Sequence, residues 1–344
     1  MLDLVPVRSD QTSADAVAAS VRLAKLADEL GYHRYWVAEH HNMPAVAATN
    51  PPVLIGLLAG ATQRIRVGSG GMMLPNHAPL VVAEQFALLE AAFPGRIDLG
   101  VGRAPGTDPV TAWALRHSGP ADADDTVNRF PEILDNLAAM MDPAGVSVTV
   151  AGRRHALNAT PAAGSAPELW VLGSSQYAAG LAASKGLPYV FAHHFAGTGT
   201  REALELYRST YVPSEEHPEP RTFLTVNAAV AETADEAERQ ALPQLLTMLR
   251  LRTGAPLAPQ QLVEEAELTP IADAQRPIVD SMRERWIIDD AAGALKRLRA
   301  LADEFGVDEV MVNPVGGAHV GEDPRTAPGR EQTLRLLAAG RADW

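Results

Sequence analysis

The chain has 344 residues, with 29 Lys and Arg against 42 Asp and Glu, and no cysteine. Lack of cysteine excludes disulfides, thiolate catalysis, thiolate zinc sites and iron–sulfur clusters. A formal net charge of −13 without a basic stripe argues against a nucleic-acid surface. Apolar runs are broken well before the ~20 residues of a membrane span, and a strand-like segment follows Met1 directly, so a cytoplasmic location is expected.

Strand and helix signals alternate from there on. Residues 2–7 read as a first strand and 15–30 as an amphipathic helix stopped by Gly31. A second strand at 34–38 leads to Asn50, a good N-cap, with Pro51 opening a helix that runs to about Thr62. Strand 65–68, helix 79–92, a Pro94-Gly95 turn and strand 96–101 follow, then a helical region at about 122–141. Residues 146–158 look like a small extended excursion on the surface. Strand 169–172 precedes helix 176–185, strand 188–192 precedes helix 201–211, and strand 223–230 precedes helix 234–252. Residues 254–285 are Pro-rich and read as an irregular insertion within a single domain spanning 1–344. Helix 289–305, capped by Asp289 or Asp290, strand 309–312 and helix 330–339 complete the order.

Eight β-then-α units over this length predict an α/β protein, a closed (β/α)8 TIM barrel with surface insertions. An open doubly wound sheet is the competing architecture. It usually carries a glycine-rich turn after its first strand, where this chain has Arg8-Ser9-Asp10-Gln11.

In a barrel the reaction site gathers at the C-terminal ends of the strands. There the chain places Glu39-His40-His41, Gly68-Ser69-Gly70-Gly71, Gly102-Arg103, Gly173-Ser174-Ser175, His193-His194 and Asn313. His40 is a candidate proton carrier, since an unperturbed imidazole titrates near pH ~6.5, and Glu39 is positioned to orient a histidine or pair with an arginine. Hydroxyls ahead of a helix at 176 suit an anion such as a phosphate, and Arg103 could add a bidentate charge contact. Gly70-Gly71 marks a close backbone approach of the kind a flat ring needs.

Each feature also has a plainer reading. His40 could bond to Glu39 or a carbonyl, Arg103 could pair with Asp98, and the glycines could pack a barrel corner. The His193-His194 pair could fill the barrel mouth instead of touching substrate. His41 reads as support, His77 as a turn residue, Met72 and Met73 as core, and the acidic run 122–125 as solvated surface.

Three strings carry a family resemblance: Tyr35-Trp36-Val37-Ala38-Glu39-His40-His41-Asn42, Val67-Gly68-Ser69-Gly70-Gly71-Met72-Met73-Leu74-Pro75-Asn76-His77, and Gly95-Arg96-Ile97-Asp98-Leu99-Gly100-Val101-Gly102-Arg103-Ala104-Pro105-Gly106. Together they resemble the bacterial luciferase-like flavin monooxygenases, closest to the stand-alone luciferase-like oxidoreductases. The likeness continues through Leu172-Gly173-Ser174-Ser175 to Val310-Met311-Val312-Asn313.

The resemblance implies a TIM barrel, usually a homodimer, that binds FMN noncovalently. Reduced flavin, often delivered by a separate flavin reductase, would react with O2 to a flavin 4a-peroxide that oxygenates a small organic substrate. It further implies a catalytic role for His40 and a non-proline cis peptide at Gly70-Gly71 against the flavin ring. Arg103, Gly173 and Ser174 match phosphate-binding positions, Tyr177 a neighbouring one, and Arg129 a second phosphate arginine. His193 stands where relatives often carry serine, beside a histidine matching His194, a change that would bear on the substrate pocket. Ile287-Ile288-Asp289-Asp290 stands where relatives show a glycine-containing turn.

Three other functions compete. A deazaflavin-dependent oxidoreductase would use the same scaffold for hydride transfer without O2. A flavin-binding protein would do little chemistry of its own. A metal-dependent hydrolase would recruit Glu39, His40, His41, His193 and His194. The last is the weakest, because successive strand residues point to opposite faces and no His-x-His spacing is present. Specificity is expected to lie in the loop after the fourth strand, in 254–285 and around His193.

Overall fold

The structure, a computed structural model, describes residues 1–104, 106–116 and 127–340. Pro105 and the acidic run at 122–125, where the fourth long helix was expected to begin, lie outside the described residues. The strands are β1 (Leu2–Asp3), β2 (Arg34–Val37), β3 (Arg66–Met73), β4 (Ile97–Gly102), β5 (Val146–Val150), β6 (Arg153–Leu157), β7 (Glu168–Gly173), β8 (Tyr189–Phe191), β9 (Thr222–Ala231), β10 (Ile287–Asp290) and β11 (Val310–Pro314). The helices, in chain order, are α1 (Ser13–Glu29), α2 (Pro51–Ala61), α3 (Pro79–Ala92), α4 (Pro109–Arg116), α5 (Phe130–Met141), α6 (Gln176–Ser184), α7 (His193–Ala196), α8 (Thr200–Ser209), α9 (Ala234–Thr253), α10 (Val263–Glu267), α11 (Arg276–Arg285), α12 (Ala291–Phe305) and α13 (Pro328–Ala339).

Parallel pairing runs β1-β2-β3-β4-β7-β8-β9, and β11 pairs with β9 and packs on β1. These eight strands are the staves of the expected TIM barrel, nearly closed at the β11–β1 seam. β2 and β4 are buried along their whole length, as strands covered by helices on one face and barrel core on the other must be. Local signals set the helix starts. Thr12 and Asp15 form a reciprocal capping box on α1, Asn50 accepts from the Val53 N–H, and Asp290 accepts from the Gly293 N–H.

Several elements depart from the sequence expectation for identifiable reasons. β1 stops after two residues because Asp3 takes the Val5 N–H on its own carboxylate, at 2.7 Å, and Pro6 has no N–H to offer a ladder. β3 runs five residues past the expected 68. The excursion at 146–158 is a two-stranded antiparallel hairpin, β5–β6. Ile287-Ile288-Asp289-Asp290 is no turn: it is β10, paired with the upper half of β9 at Ala228–Ala231. The segment 254–285, expected to be irregular, contains α10 and α11, held on α9 by Leu245, Leu249, Val279, Met282 and Trp286. His319 ties α10 to α9, its ring nitrogens 2.7 Å from Glu264 and 2.8 Å from Glu236. α4 was not foreseen. Among the described residues no helix is long and apolar enough to cross a membrane.

The barrel floor is ionic and aromatic. Asp98 of β4, fully buried, accepts from Arg34 Nη1 at 3.0 Å, Arg66 Nε at 2.8 Å and Trp36 Nε1 at 2.8 Å. The Arg34 guanidinium also forks onto Glu309, at 2.7 and 3.1 Å, and lies over the rings of Trp170 (4.8 Å), Phe223 (5.2 Å) and Trp36 (5.6 Å). Removing one member leaves buried charge uncompensated, which costs about 3–5 kcal/mol. Asp98→Ala is therefore expected to lose stability of that order in urea unfolding, whereas Arg64→Ala, whose exposed side chain lies 4.0 Å from Asp28, should change it by less than about 1 kcal/mol. Equal losses would show that the Asp98 cluster contributes nothing special.

Candidate active site

At the C-terminal end of β2 the alternation of side chains sorts the expected residues into two sets. Glu39 is fully buried behind the strand. It accepts from His41 Nε2 at 2.8 Å, His77 Nε2 at 2.7 Å and the Met73 N–H at 2.8 Å. Burial works to raise its carboxyl, but the His77 and His41 contacts and the Met73 N–H hold it below the usual carboxylate range. Glu39 thus serves His41, His77 and the end of β3, not His40. His77, read from sequence as a turn residue, is a direct partner of this carboxylate.

His40 points the other way, into a cavity of about 360 Å³ inside the barrel mouth. Its N–H donates to Ala48 O at 2.8 Å. Its Nδ1 is buried without a partner among the described residues, and Nε2 is the ring nitrogen left open to the cavity. Burial, ahead of the neighbouring charges of Glu39 and His41, lowers its pKa, so the ring is neutral at pH 7.

A second cavity wall is bare backbone. The Gly70-Gly71 peptide is cis, and the β3–β4 register shifts between Ser69 and Met72. A Cβ on Gly100 would sit 2.1 Å from Ser69 O, and one on Gly71 2.9 Å from Gly100 O. Glycine is needed on both strands for the backbones to meet this closely.

At one end stand Arg103 and the start of α6. The Arg103 guanidinium lies 4.0 Å over the Tyr177 ring. Asp98, its alternative partner, is already occupied by Arg34, Arg66 and Trp36. Ser175 caps α6 without a side-chain bond to it, so hydroxyls and first-turn N–H groups remain available beside the guanidinium. Gly173 brings this helix onto β7: a Cβ there would lie 2.4 Å from Ala178 Cβ.

The remaining wall comes from α7, β9, β11 and α9, through His194, Thr225, Asn227, Asn313 and Gln244. His194 Nδ1 lies 2.8 Å from Thr225 Oγ1, Asn227 Nδ2 donates to His194 O at 2.8 Å, and Asn313 Nδ2 donates to Asn227 Oδ1 at 2.7 Å. Sequence reasoning missed Thr225, Asn227 and Gln244. The first two left a signal, polar residues at a spacing of two inside an apolar strand. Gln244 left none.

Two expected site residues are elsewhere. His193 opens the short helix α7 with its ring turned outward, Nδ1 2.8 Å from Thr200 Oγ1 and the ring edge-on to Phe305 at 5.5 Å, so it does not line the cavity. Arg129 lies at the surface ahead of α5, forked onto Glu132 at 3.0 and 2.9 Å, and it too is absent from the lining. Glu39, as shown, stands behind the wall. Among the described residues no cluster of His, Asp and Glu is arranged to hold a metal.

The residues that do converge suit an anionic, flat ligand. They supply a cationic end with free N–H and hydroxyl groups, a glycine wall without side chains, and a neutral imidazole with an open nitrogen. No carboxylate lines the cavity among the described residues.

Comparison with known proteins gives the same direction. Residues 1–309 match the profile of the luciferase-like monooxygenases. A luciferase-like monooxygenase of Escherichia coli (strain K12) is 38% identical over 316 residues, 91% of this chain and 90% of the relative. The crystal structure of apo-MsnO8 superposes with a TM-score of 0.85 at 33% identity, covering 99% of this chain and 97% of the other. The oxygenating constituent of 3,6-diketocamphane monooxygenase from Pseudomonas putida, a complex with FMN, shares the fold at TM-score 0.69 and 17% identity, covering 98% and 96%.

Burial, then the charges of His193 and His40, push the His194 pKa down to about 4. Its unfolded value is near ~6.5, so the unfolded chain binds more protons between these limits. Stability contributed by this site is complete above pH ~6.5 and is lost as the pH falls toward 4, by at most ~1.4 kcal/mol per pH unit. His194→Gln is expected to flatten the stability–pH curve over that window in urea unfolding. An unchanged slope would mean that His194 does not titrate there.

Proposed function

This chain belongs to the luciferase-like monooxygenase family, and from that premise we propose that it is an FMN-dependent monooxygenase that oxygenates a small organic substrate. One observation carries the choice of cofactor: a single cavity joins an anion cradle to a side-chain-free wall, as a phosphate-bearing ring compound requires. Arg103, Ser174, Ser175 and the first N–H groups of α6 would hold the phosphate, with Tyr177 supporting the guanidinium from below. The Gly70-Gly71 backbone would carry the ring.

Bound in its reduced form, FMN would supply the electrons with which O2 is activated. The chain's own residues do the rest. His40, neutral and open at Nε2, gives or takes a proton beside the ring. Leu4, Leu172, Met248 and Met311 keep water from the reacting centre. Glu39 acts at one remove: by holding the Met73 N–H it fixes the end of β3 beyond the glycine pair. A separate flavin reductase would supply the reduced flavin.

A second copy of the chain is the partner that the surface supports. α2 exposes Val53 and Leu57 four residues apart, and α3 exposes Val81 and Leu88 seven apart, so each helix presents an apolar stripe to solvent. Light scattering is expected to give a dimer, and Leu57→Glu with Leu88→Glu a monomer. A wild-type monomer would remove these stripes as an interface.

Equilibrium titration with oxidised and reduced FMN, followed by flavin fluorescence and ultrafiltration, tests the cofactor. Arg103→Ala removes charge-assisted bonds worth about 1.5–3 kcal/mol, so affinity should fall roughly ten- to a hundredfold. His40→Ala should keep FMN affinity within about threefold and lose about 10²–10⁴ in turnover of a screened substrate. Binding of deazaflavin F420 with no binding of FMN would replace the monooxygenase reading by a hydride-transfer one.

A further inference from the structure

Strand order fixes which side chains face each other. Counting staves as β1, β2, β3, β4, β7, β8, β9 and β11, the end of β2 lies across the barrel from that of β8, and β3 lies across from β9. His40 therefore looks across at His194, and the Gly70-Gly71 wall at Thr225 and Asn227. The anion cradle belongs to β4 and β7. A ring compound anchored there and laid on the glycines leaves the β8–β9–β11 wall to a second molecule.

The hydrogen bonds of that wall determine what it can recognise. Thr225 Oγ1 donates its hydrogen to Phe191 O at 3.2 Å, so toward His194 it can only accept. That arrangement assigns the proton of the 2.8 Å contact to His194 Nδ1 and the lone pair to Nε2. No described residue partners Nε2, and it is open to the cavity. Asn227 donates to His194 O and accepts from Asn313. Gln244 accepts from Gln260 at 2.7 Å, which leaves its own N–H groups free to point at a ligand.

The wall is also uncharged. Desolvation keeps His194 neutral at pH 7. Arg103, at the far end, is the ionised side chain of the described lining. Leu4, Phe195, Met248 and Met311 surround the polar groups. A carboxylate or ammonium bound here would be stripped of water with no counter-charge, which is strongly unfavourable.

We propose that the substrate presents a neutral hydrogen-bond donor, a hydroxyl or amide N–H on an apolar body, and that His194 Nε2 is the acceptor that selects it. His194 is then a specificity-determining residue held in one tautomer by Thr225. The inference rests on the flavin reading only for which end of the cavity the substrate takes.

The test is calorimetric binding to FMN-loaded protein at pH 7.5, without turnover, using four compounds of one shape: 4-propylphenol, 4-propyltoluene, 4-propylbenzoate and 4-propylbenzylamine. The phenol should bind roughly three- to tenfold more tightly than the toluene, and the two charged compounds more weakly than either. In His194→Leu the phenol's advantage over the toluene should vanish. Thr225→Val, which keeps the shape and releases the tautomer, should diminish it too and covers the case in which His194→Leu fails to fold. FMN affinity should stay unchanged in both variants. Tighter binding of the benzoate or benzylamine, no binding of the phenol, or an undiminished phenol advantage in a folded variant would overturn the proposal. Failure of wild-type protein to take up FMN would instead count against the flavin reading.

Discussion

The buried carboxylate of Asp98 is the constraint on which the geometry of the mouth depends. It draws Arg34, Arg66 and the Trp36 indole to one point under the barrel. That convergence is possible because Gly68 has no side chain: a Cβ there would lie 2.6 Å from Asp98 Cβ and 2.8 Å from Trp36 Nε1. Trp36, so fixed, becomes the surface on which Gly70 rests, since a Cβ on Gly70 would fall 3.1 Å from its ring. The glycine wall of the cavity is thus positioned from below by an ion cluster that never touches a ligand. Trp170 and Phe223 complete the floor by packing on both Trp36 and the Arg34 guanidinium. The charges add position more than net energy, because their desolvation offsets much of their attraction.

Above that floor, the two-residue alternation continued past β2 separates support from cavity lining. Glu39 and His41 lie on one side, His40 on the other. A carboxylate adjacent to the His40 ring would favour its protonated form. Glu39 is turned behind the strand and bonded to His41, His77 and Met73; burial outweighs its charge at His40 and leaves that ring neutral with Nε2 open. The same separation appears at α7, where His193 turns out to Thr200 and its neighbour His194 turns in to Thr225.

What the sequence made legible follows from how local each signal is. Strand order and the barrel were readable because buried parallel strands form short apolar runs between capped helices, and the strand-end motifs fell where the fold requires them. His40, Gly70, Gly71, Arg103, Ser174 and Tyr177 all reach one cavity. The misreadings concern direction and distance. Whether His193 or His194 faces inward depends on a helical turn after β8 that three residues of strand could not announce. Arg129 carried only a position in a motif, and its own neighbour Glu132 was its nearer partner. His77 and Gln244 meet their partners across 38 and 16 residues of chain, through contacts that no local pattern encodes.

The polar wall of the cavity owes its form to β9, which is long enough to belong to two structures. Its first half pairs with β8 and β11 and carries Thr225 and Asn227 into the mouth. Its second half pairs with β10, and Ala229 and Ala231 join the apolar cluster that seats α11 and Trp286 on α9. α9 in turn presents Gln244, whose amide is oriented by Gln260 from the inserted segment. Gln260 also exchanges backbone hydrogen bonds with the chain just after β1, accepting from Ser9 N and donating to Val7 O. The insertion is therefore tied to the barrel seam at one end and to the polar wall at the other. Changes within it can move Gln244 and Met248 while Arg103, α6 and the glycine pair, on the opposite staves, stay in place. A fold divided in this way can keep one wall of its cavity and vary the other.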